Sequence, residues 1–185
     1  MLRQKARRVA RIDASIGALI DDMIDTMRAA GGAGLAAPQI GRSLRVIVVA
    51  VPPPEAAGEP PVRAKPPGVE EQEVVVLVNP QIVRRSGRRQ VAEGCLSIPG
   101  YWAEITRSEK VTAKGLNREG REVRVRAEGL LAEALEHEID HINGVLYIDY
   151  LESMDQLVKI EPEREEGSAP SEPGRAAAGP ASAGP

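Results

Sequence analysis

The sequence predicts an α+β fold in which antiparallel strands accompany a helix that carries a His-Glu-x-x-His motif. Two segments place apolar residues at helical spacing, one near the N terminus and one around residue 135. Between them lie short runs rich in valine and isoleucine, which are typical of strands. Hairpin-type turns join some of these runs, so we expect neighbouring strands to be antiparallel.

Each predicted element follows from a local pattern of residues. Asp13 is a good helix cap, and glycines end the helix that follows it. Pro80 is expected to end a buried strand. Residues 1–12 are expected to form a solvated basic segment, and residues 32–41 an irregular glycine-rich loop. The predicted elements are helices over 13–30 and 129–142, strands over 45–51, 73–79 and 145–148, a hairpin turn within 84–89, and a second hairpin with strands over 109–116 and 121–127.

The composition predicts one cytoplasmic domain with a tail. Residues 1–160 form the predicted catalytic domain, interrupted by a proline-rich insertion over 52–71, and residues 161–185 are expected to be disordered. The net charge of −3 predicts no general attraction to nucleic acid or to an anionic membrane. A single cysteine excludes an intramolecular disulfide, and no apolar run approaches the ~20 residues that span a bilayer.

The chemistry of the chain concentrates in the motif formed by His137, Glu138 and His141. Positions four apart on a helix lie about 40° apart around the axis and roughly 6 Å along it, so both imidazoles can reach one metal ion. The chain has only two histidines, and both belong to this motif. Glu138 follows the first histidine and can direct its carboxylate at a water on that metal. The motif therefore predicts a metal-dependent hydrolase.

The third metal ligand is not specified by the motif, because many zinc proteases share it. One protease class places a third histidine six residues after the second, but Tyr147 occupies that position, and a neutral phenol is a poor ligand. A second class uses a downstream glutamate, and only Glu152 and a few acids of the tail follow. Cys95 is the remaining soft ligand, and a Cys/His/His set with an open position is a catalytic arrangement.

Three sequence blocks, taken in order, closely resemble the peptide deformylase family. They are Gly32-Ala33-Gly34-Leu35-Ala36-Ala37-Pro38-Gln39, Glu93-Gly94-Cys95-Leu96-Ser97 and His137-Glu138-Ile139-Asp140-His141, within a resemblance that covers about residues 2–152. The resemblance implies a fold in which antiparallel strands pack around the central helix with the histidine pair. It also implies removal of the formyl group from N-formylmethionine of nascent peptides, with release of formate.

The resemblance further implies a role for individual residues. Cys95, His137 and His141 would bind one divalent ion, with Fe(II) as the typical cellular metal and zinc, nickel or cobalt as substitutes. Glu138 would move the proton of the attacking water to the departing amine. The formyl oxygen would be stabilised by the Gln39 amide and the backbone N–H of Leu96. Glu93 and Asp140 would support the ligands, although a surface salt bridge is an equal alternative for Asp140. The residues that would contact the substrate are Ala33, Gly34, Leu130, Ala134 and Arg107.

The expected partners of the chain are peptides. We expect formylated peptides emerging from the ribosome as partners, with a transient ribosome contact, no direct nucleic-acid binding, no membrane contact and a monomeric chain.

Two acids of the predicted helix depart from the family pattern. Glu136 replaces the glutamine that the family usually has before the first histidine, and Glu133 is an acid that could alter preference at the second substrate position. Two alternatives stay open, namely another His-Glu-x-x-His peptidase or amidase and an inactive deformylase-like metal-binding protein.

Overall fold

A computed structural model describes residues 1–51 and 73–160 as an α+β fold built from two antiparallel sheets and two helices. The proline-rich insertion and the predicted tail lie outside the described residues. The strands are β1 (Gly34–Ala36), β2 (Val46–Ala50), β3 (Val74–Ser86), β4 (Arg89–Cys95), β5 (Ile98–Arg107), β6 (Lys110–Leu116), β7 (Glu122–Glu128) and β8 (Val158–Lys159), and the helices are α1 (Ala14–Ala29) and α2 (Gly129–Asn143).

The larger sheet has the order β1-β2-β3-β6-β7 and carries a helix on each face. Side chains of β2 alternate between the two faces, which is why this strand is apolar throughout. Val46 and Val48 pack with α1, whereas Ile47 and Val49 pack with α2. The smaller sheet has the order β4-β5-β8. The predicted fold class is therefore confirmed.

Both helices begin and end as the sequence predicts. The Asp13 carboxylate accepts from the backbone N–H groups of Ser15 and Ile16 at the start of α1. Helix α2 ends at Gly144, whose φ of 79° lies in the left-handed region. A Cβ at this position would lie 2.7 Å from the carbonyl oxygen of Arg3, so only glycine fits. None of the helices within 1–51 and 73–160 is long and apolar enough to cross a bilayer.

Two predictions about strands β3 and β4 are wrong. The Ser86-Gly87 turn does not close a hairpin, because β3 pairs with β6 and β4 pairs with β5 in the other sheet. A turn signature reports a local change of direction and not the partner of each strand. Pro80 does not end β3 either, since its missing N–H falls at an irregularity between Val78 and Gln81, where the ladder is already interrupted.

Several segments are more ordered than the sequence predicts. Residues 32–41 contain the edge strand β1 and a short 3-10 helix over Ala37–Ile40. Residues 145–148 do not form a strand, because the Asp149 carboxylate accepts from the Leu146 N–H and caps a 3-10 helix over Tyr147–Tyr150. Within the basic N-terminal segment, Ala6 and Val9 are buried. Strand β5, which the sequence analysis did not predict, supplies the second strand of the smaller sheet.

Candidate metal centre

Three candidate ligands from distant parts of the chain meet between the two sheets. Helix α2 presents His137 and His141 on one face, and their Nε2 atoms lie 3.0 Å apart. Cys95 ends strand β4, and its Sγ lies 3.2 Å from the Nε2 of His141. One donor atom from each of the three residues lies within 4.8 Å of the others. The structure thus brings together the predicted ligand set across 46 residues of sequence between Cys95 and His141.

The donor set fits a single four-coordinate metal ion. Metal–sulfur and metal–nitrogen bonds of about 2.3 and 2.0 Å in a tetrahedral site place the ligand atoms roughly 3.3–3.6 Å apart. The two separations from the Nε2 of His141, 3.2 Å to sulfur and 3.0 Å to nitrogen, are slightly shorter and require only small side-chain adjustments. Burial and the nearby His137 lower the pKa of His141 to about 3, so this imidazole is neutral at pH 7 and offers a lone pair. Three protein ligands leave a fourth position for water or substrate.

His137 is oriented by a buried acid from the smaller sheet. Its Nδ1–H donates to Oε1 of Glu93 on β4, which leaves Nε2 directed toward Cys95 and His141. Burial opposes ionisation of Glu93, but hydrogen bonds from Arg107 and His137 outweigh it and lower the pKa of this carboxyl to about 2. Glu93 is therefore a carboxylate at neutral pH and fixes the tautomer of His137.

Arg107 is placed differently from its predicted contact with substrate. The residue is 4% exposed, and its guanidinium donates to both oxygens of Glu93 and to Asp140. The hydroxyl of Tyr150 also donates to Asp140, and the Tyr150 ring lies 4.7 Å from the guanidinium carbon. Arg107 thus joins β4 and β5 to α2 through Glu93 and Asp140. Asp140 belongs to this buried network and not to a surface salt bridge.

Glu138 lies in a dry environment beside β1. It is 3% exposed, and its Oε2 is buried without a hydrogen-bond partner in the described residues. Burial raises the pKa of Glu138 to about 7, which suits a group that exchanges protons near neutrality. A Cβ on Gly34 would lie 2.7 Å from Oε1 of Glu138, so the glycine provides the space that this carboxylate occupies.

Gln39 is held with its amide nitrogen toward the ligands. Its Oε1 accepts from the backbone N–H of Ala36, and its Nε2 lies 3.3 Å from the Ser97 hydroxyl and 3.8 Å from the Cys95 sulfur. The backbone N–H of Ser97 also donates to the Cys95 sulfur at 3.4 Å. Ser97 is a site residue to which the sequence analysis gave no role, although its place in the second block was a signal. Leu96 lies in the same turn, with its side chain 44% exposed.

The remaining predicted substrate residues border this centre. Leu130 and Ala134 lie on the same face of α2 as the two histidines, since their positions are spaced by three and four residues. Both are half-buried. Ala33 is exposed and directly precedes β1, whose outer edge is unpaired within the described sheet.

The two unusual acids of α2 pair with arginines of β3 and β4. Arg85 donates to Glu136, which also accepts from the N–H and hydroxyl of Ser108. Arg89 donates to Glu133 at 2.7 Å. Both acids are buried, with exposures of 5% and 8%. These two arginines therefore tie both sheets to α2.

Comparisons with known proteins agree with this geometry. The family model described as polypeptide deformylase matches residues 1–157. A peptide deformylase from Dehalococcoides mccartyi is 52% identical over 165 residues, which cover 89% of each chain. One from Thermomicrobium roseum is 51% identical and covers 89% of this chain and 88% of the relative. A crystal structure of a peptide deformylase from Legionella pneumophila has a TM-score of 0.71 at 44% identity, covering 84% of this chain and 82% of the other.

A second solved structure is similar to this chain to the same extent. The peptide deformylase of Synechococcus elongatus, crystallised in complex with actinonin, has a TM-score of 0.71 at 40% identity, covering 84% of this chain and 75% of the other. The matched family model spans both blocks of ligands described above and the block that supplies Gln39. The chain therefore belongs to the peptide deformylase family, the metal-dependent hydrolases that remove the N-formyl group from nascent peptides.

Proposed function

We propose that Cys95, His137 and His141 hold one divalent ion per chain, Fe(II) in the cell, and that zinc, nickel or cobalt can replace it. The observation that carries this proposal is the convergence of one thiol and two imidazoles, next to Glu138, whose buried Oε2 has no hydrogen-bond partner among residues 1–51 and 73–160. Thiolate and imidazole ligands suit all four metals. Simple metal storage needs no such carboxylate.

A bound divalent ion would lower the pKa of a water molecule and polarise the formyl carbonyl. Glu138 would accept the proton of the attacking water and deliver it to the amine that leaves. Its raised pKa supports both transfers, because the group is then neither a strong acid nor a strong base. The fixed orientation of His137 by Glu93 would keep the ligands in place during the reaction.

The amide of Gln39 and the backbone N–H of Leu96 would stabilise the charge that develops on the formyl oxygen. The Gln39 amide is suited to this role because Ala36 holds its oxygen and leaves its nitrogen directed toward the ligands. Removal of one such donor typically costs ~3–4 kcal/mol of transition-state stabilisation.

The peptide would bind as an added strand along the free edge of β1. The backbone of Gly34 would pair with the peptide, which leaves the sequence beyond the first residue largely unread. Ala33 would face the methionine side chain of the substrate. Leu130 and Ala134 would contact the methionine side chain, because they share the α2 face with the ligands.

The cellular setting of this chemistry follows from its substrate. Nascent formylated peptides are available at the ribosome, so we propose a cytoplasmic protein that acts as a monomer and contacts the ribosome transiently. We also propose that residues 1–160 form one catalytic domain, with 161–185 as an appended tail.

A formate-release assay on anaerobically purified protein tests the mechanism, with metal measured on the same sample. We expect one Fe per chain and formate release from a formyl-Met peptide. Glu138→Gln should keep the metal and lose activity by about 10²–10⁴-fold, whereas the exposed Glu104→Gln control should match the parent chain. Internal peptide cleavage without formate would contradict the proposal, as would stoichiometric metal with no turnover in the parent chain.

A further inference from the structure

One face of the larger sheet concentrates positive charge that no function described so far uses. Strands β6 and β7 direct Val111, Ala113 and Ala127 into the core beneath α2. Because side chains alternate along a strand, their neighbours point to the opposite, outer face. This face, which we name the basic face, carries Arg84, Lys110, Lys114, Arg124 and Arg126.

The register of the strands brings these cations together. Lys114 of β6 lies directly opposite Arg124 of β7. Thr112 lies opposite Arg126 on one side and Arg84 on the other, so the two arginines flank it. Side chains directly opposite in an antiparallel pair have Cβ atoms about 4.5–5.5 Å apart, and like charges at that distance are destabilising. The proximity of these cations therefore lowers the stability of the folded chain.

Among the residues that the structure describes, two acids lie on the basic face. Glu128 pairs with Lys110, and Glu122 lies opposite Leu116, two residues before Arg124. Arg84, Lys114, Arg124 and Arg126 form no ion pair with any residue of the described chain. Three of these four residues are exposed, and Lys114 is half-buried. The chain as a whole carries a net charge of −3, so the cluster reflects an uneven distribution of charge and not a basic composition.

The net charge predicted no direct nucleic-acid binding, but the net charge does not show where the charges lie. From this arrangement we infer that the basic face binds the phosphate backbone of RNA, as exposed on the ribosome from which the substrate emerges. Charge complementarity selects a polyanion, and a row of lysines and arginines on adjacent strands matches closely spaced phosphates rather than one small anion. The face lies on the side of the sheet opposite α2, so bound RNA leaves the metal centre open to a peptide. This inference rests on the ribosome contact proposed above and assigns it a surface.

Paired charge-neutralising variants test the inference. Fluorescence anisotropy with a labelled RNA duplex, and sedimentation with bacterial ribosomes, would be measured for the full chain across a salt series. Lys114→Gln/Arg124→Gln should weaken binding at least about tenfold near 0.1 M salt and reduce the slope of log Kd against log salt by about 2. The control Lys5→Gln/Lys159→Gln removes the same charge from exposed positions elsewhere and should bind as the parent chain does.

Formate release from a free formyl-Met peptide separates this inference from the proposed function. Both double variants should keep the activity of the parent chain, since neither pair touches the metal centre. Equal RNA binding by the two double variants would overturn the inference, as would binding without salt dependence. Binding to phosphatidylglycerol vesicles but not to RNA would also overturn it. In each case, unchanged formate release would leave the proposed function standing.

Discussion

Gly34→Ala tests whether the space beside the Glu138 carboxylate sets the position of that side chain. A Cβ at this position would lie 2.7 Å from Oε1 of Glu138, 2.8 Å from its Cγ and 3.0 Å from its Cδ. Ordinary contacts begin near 3.4 Å, so the three atoms of the Glu138 side chain must move by about 0.4–0.7 Å. The backbone of Gly34 has a negative φ and accepts alanine without strain, so the effect arises from the contact alone.

The magnitude of this effect follows from the sensitivity of catalysis to geometry. A misplacement of about 1 Å can cost ~10²-fold in rate. If the activation free energy scales with the displacement, a shift of about 0.4–0.7 Å should lower kcat for formate release by about 6- to 25-fold. Metal content should stay at one per chain, because no ligand faces the new methyl group. The assay is steady-state formate release with metal analysis of the same sample.

Gly32→Ala provides the matched control from the same loop. Its Cβ would meet the Cδ1 of Leu96 at 2.8 Å and the carbonyl oxygen of Gly34 at 3.3 Å, but the Leu96 side chain is 44% exposed and can turn away. We expect less than about a threefold change in kcat, since a flexible surface side chain moves and the backbone contact has to relax by only about 0.1 Å. Full activity of Gly34→Ala with bound metal would refute the argument that Gly34 shapes the position of Glu138.

Three further predictions concern the ligands and the ion pairs around them. Cys95→Ser should weaken Fe(II) binding by at least about tenfold in a chelator competition, because a soft thiolate is replaced by a hydroxyl; unchanged affinity would mean that another residue is the third ligand. Arg107→Met should lower the free energy of unfolding by about 3–5 kcal/mol in a denaturant titration, because it leaves Glu93 and Asp140 buried without their cation. The control Arg118→Met removes an exposed pair with Asp21 and should leave the free energy of unfolding nearly unchanged; equal losses would contradict the buried network. Glu133→Gln should leave the kcat/KM ratio for formyl-Met-Lys and formyl-Met-Ala peptides within about twofold, because the acid is buried and paired with Arg89; a larger change would mean that Glu133 contacts the substrate.

Local chemistry explains why the helices and the ligand pair were predictable. A capping aspartate, a terminal glycine and apolar residues at helical spacing act within a few residues of one another, so the sequence shows them directly. The histidine pair is also local, since four residues of helix set its geometry. Cys95 was assigned by elimination and by resemblance, and the structure places its sulfur beside His141.

The partners of the strands could not be predicted from local sequence. The Ser86-Gly87 turn was expected to close a hairpin, but β3 and β4 belong to different sheets, because the partner of a strand depends on contacts with distant segments. Pro80 was expected to stop a strand, and an irregularity in the ladder instead accommodates it.

The sequence by itself determined the chemistry of this protein, because the residues that perform it occur in short motifs with set spacing. Only the tertiary structure decided how charged residues are used. Arg107 holds Glu93 and Asp140 in the interior, and Arg85 and Arg89 neutralise the acids of α2. Lys114 and Arg124 are ten residues apart in sequence and become neighbours on the basic face. The interaction energy of a charge depends on its burial and on its neighbours in space. Both are set by pairings between distant parts of the chain.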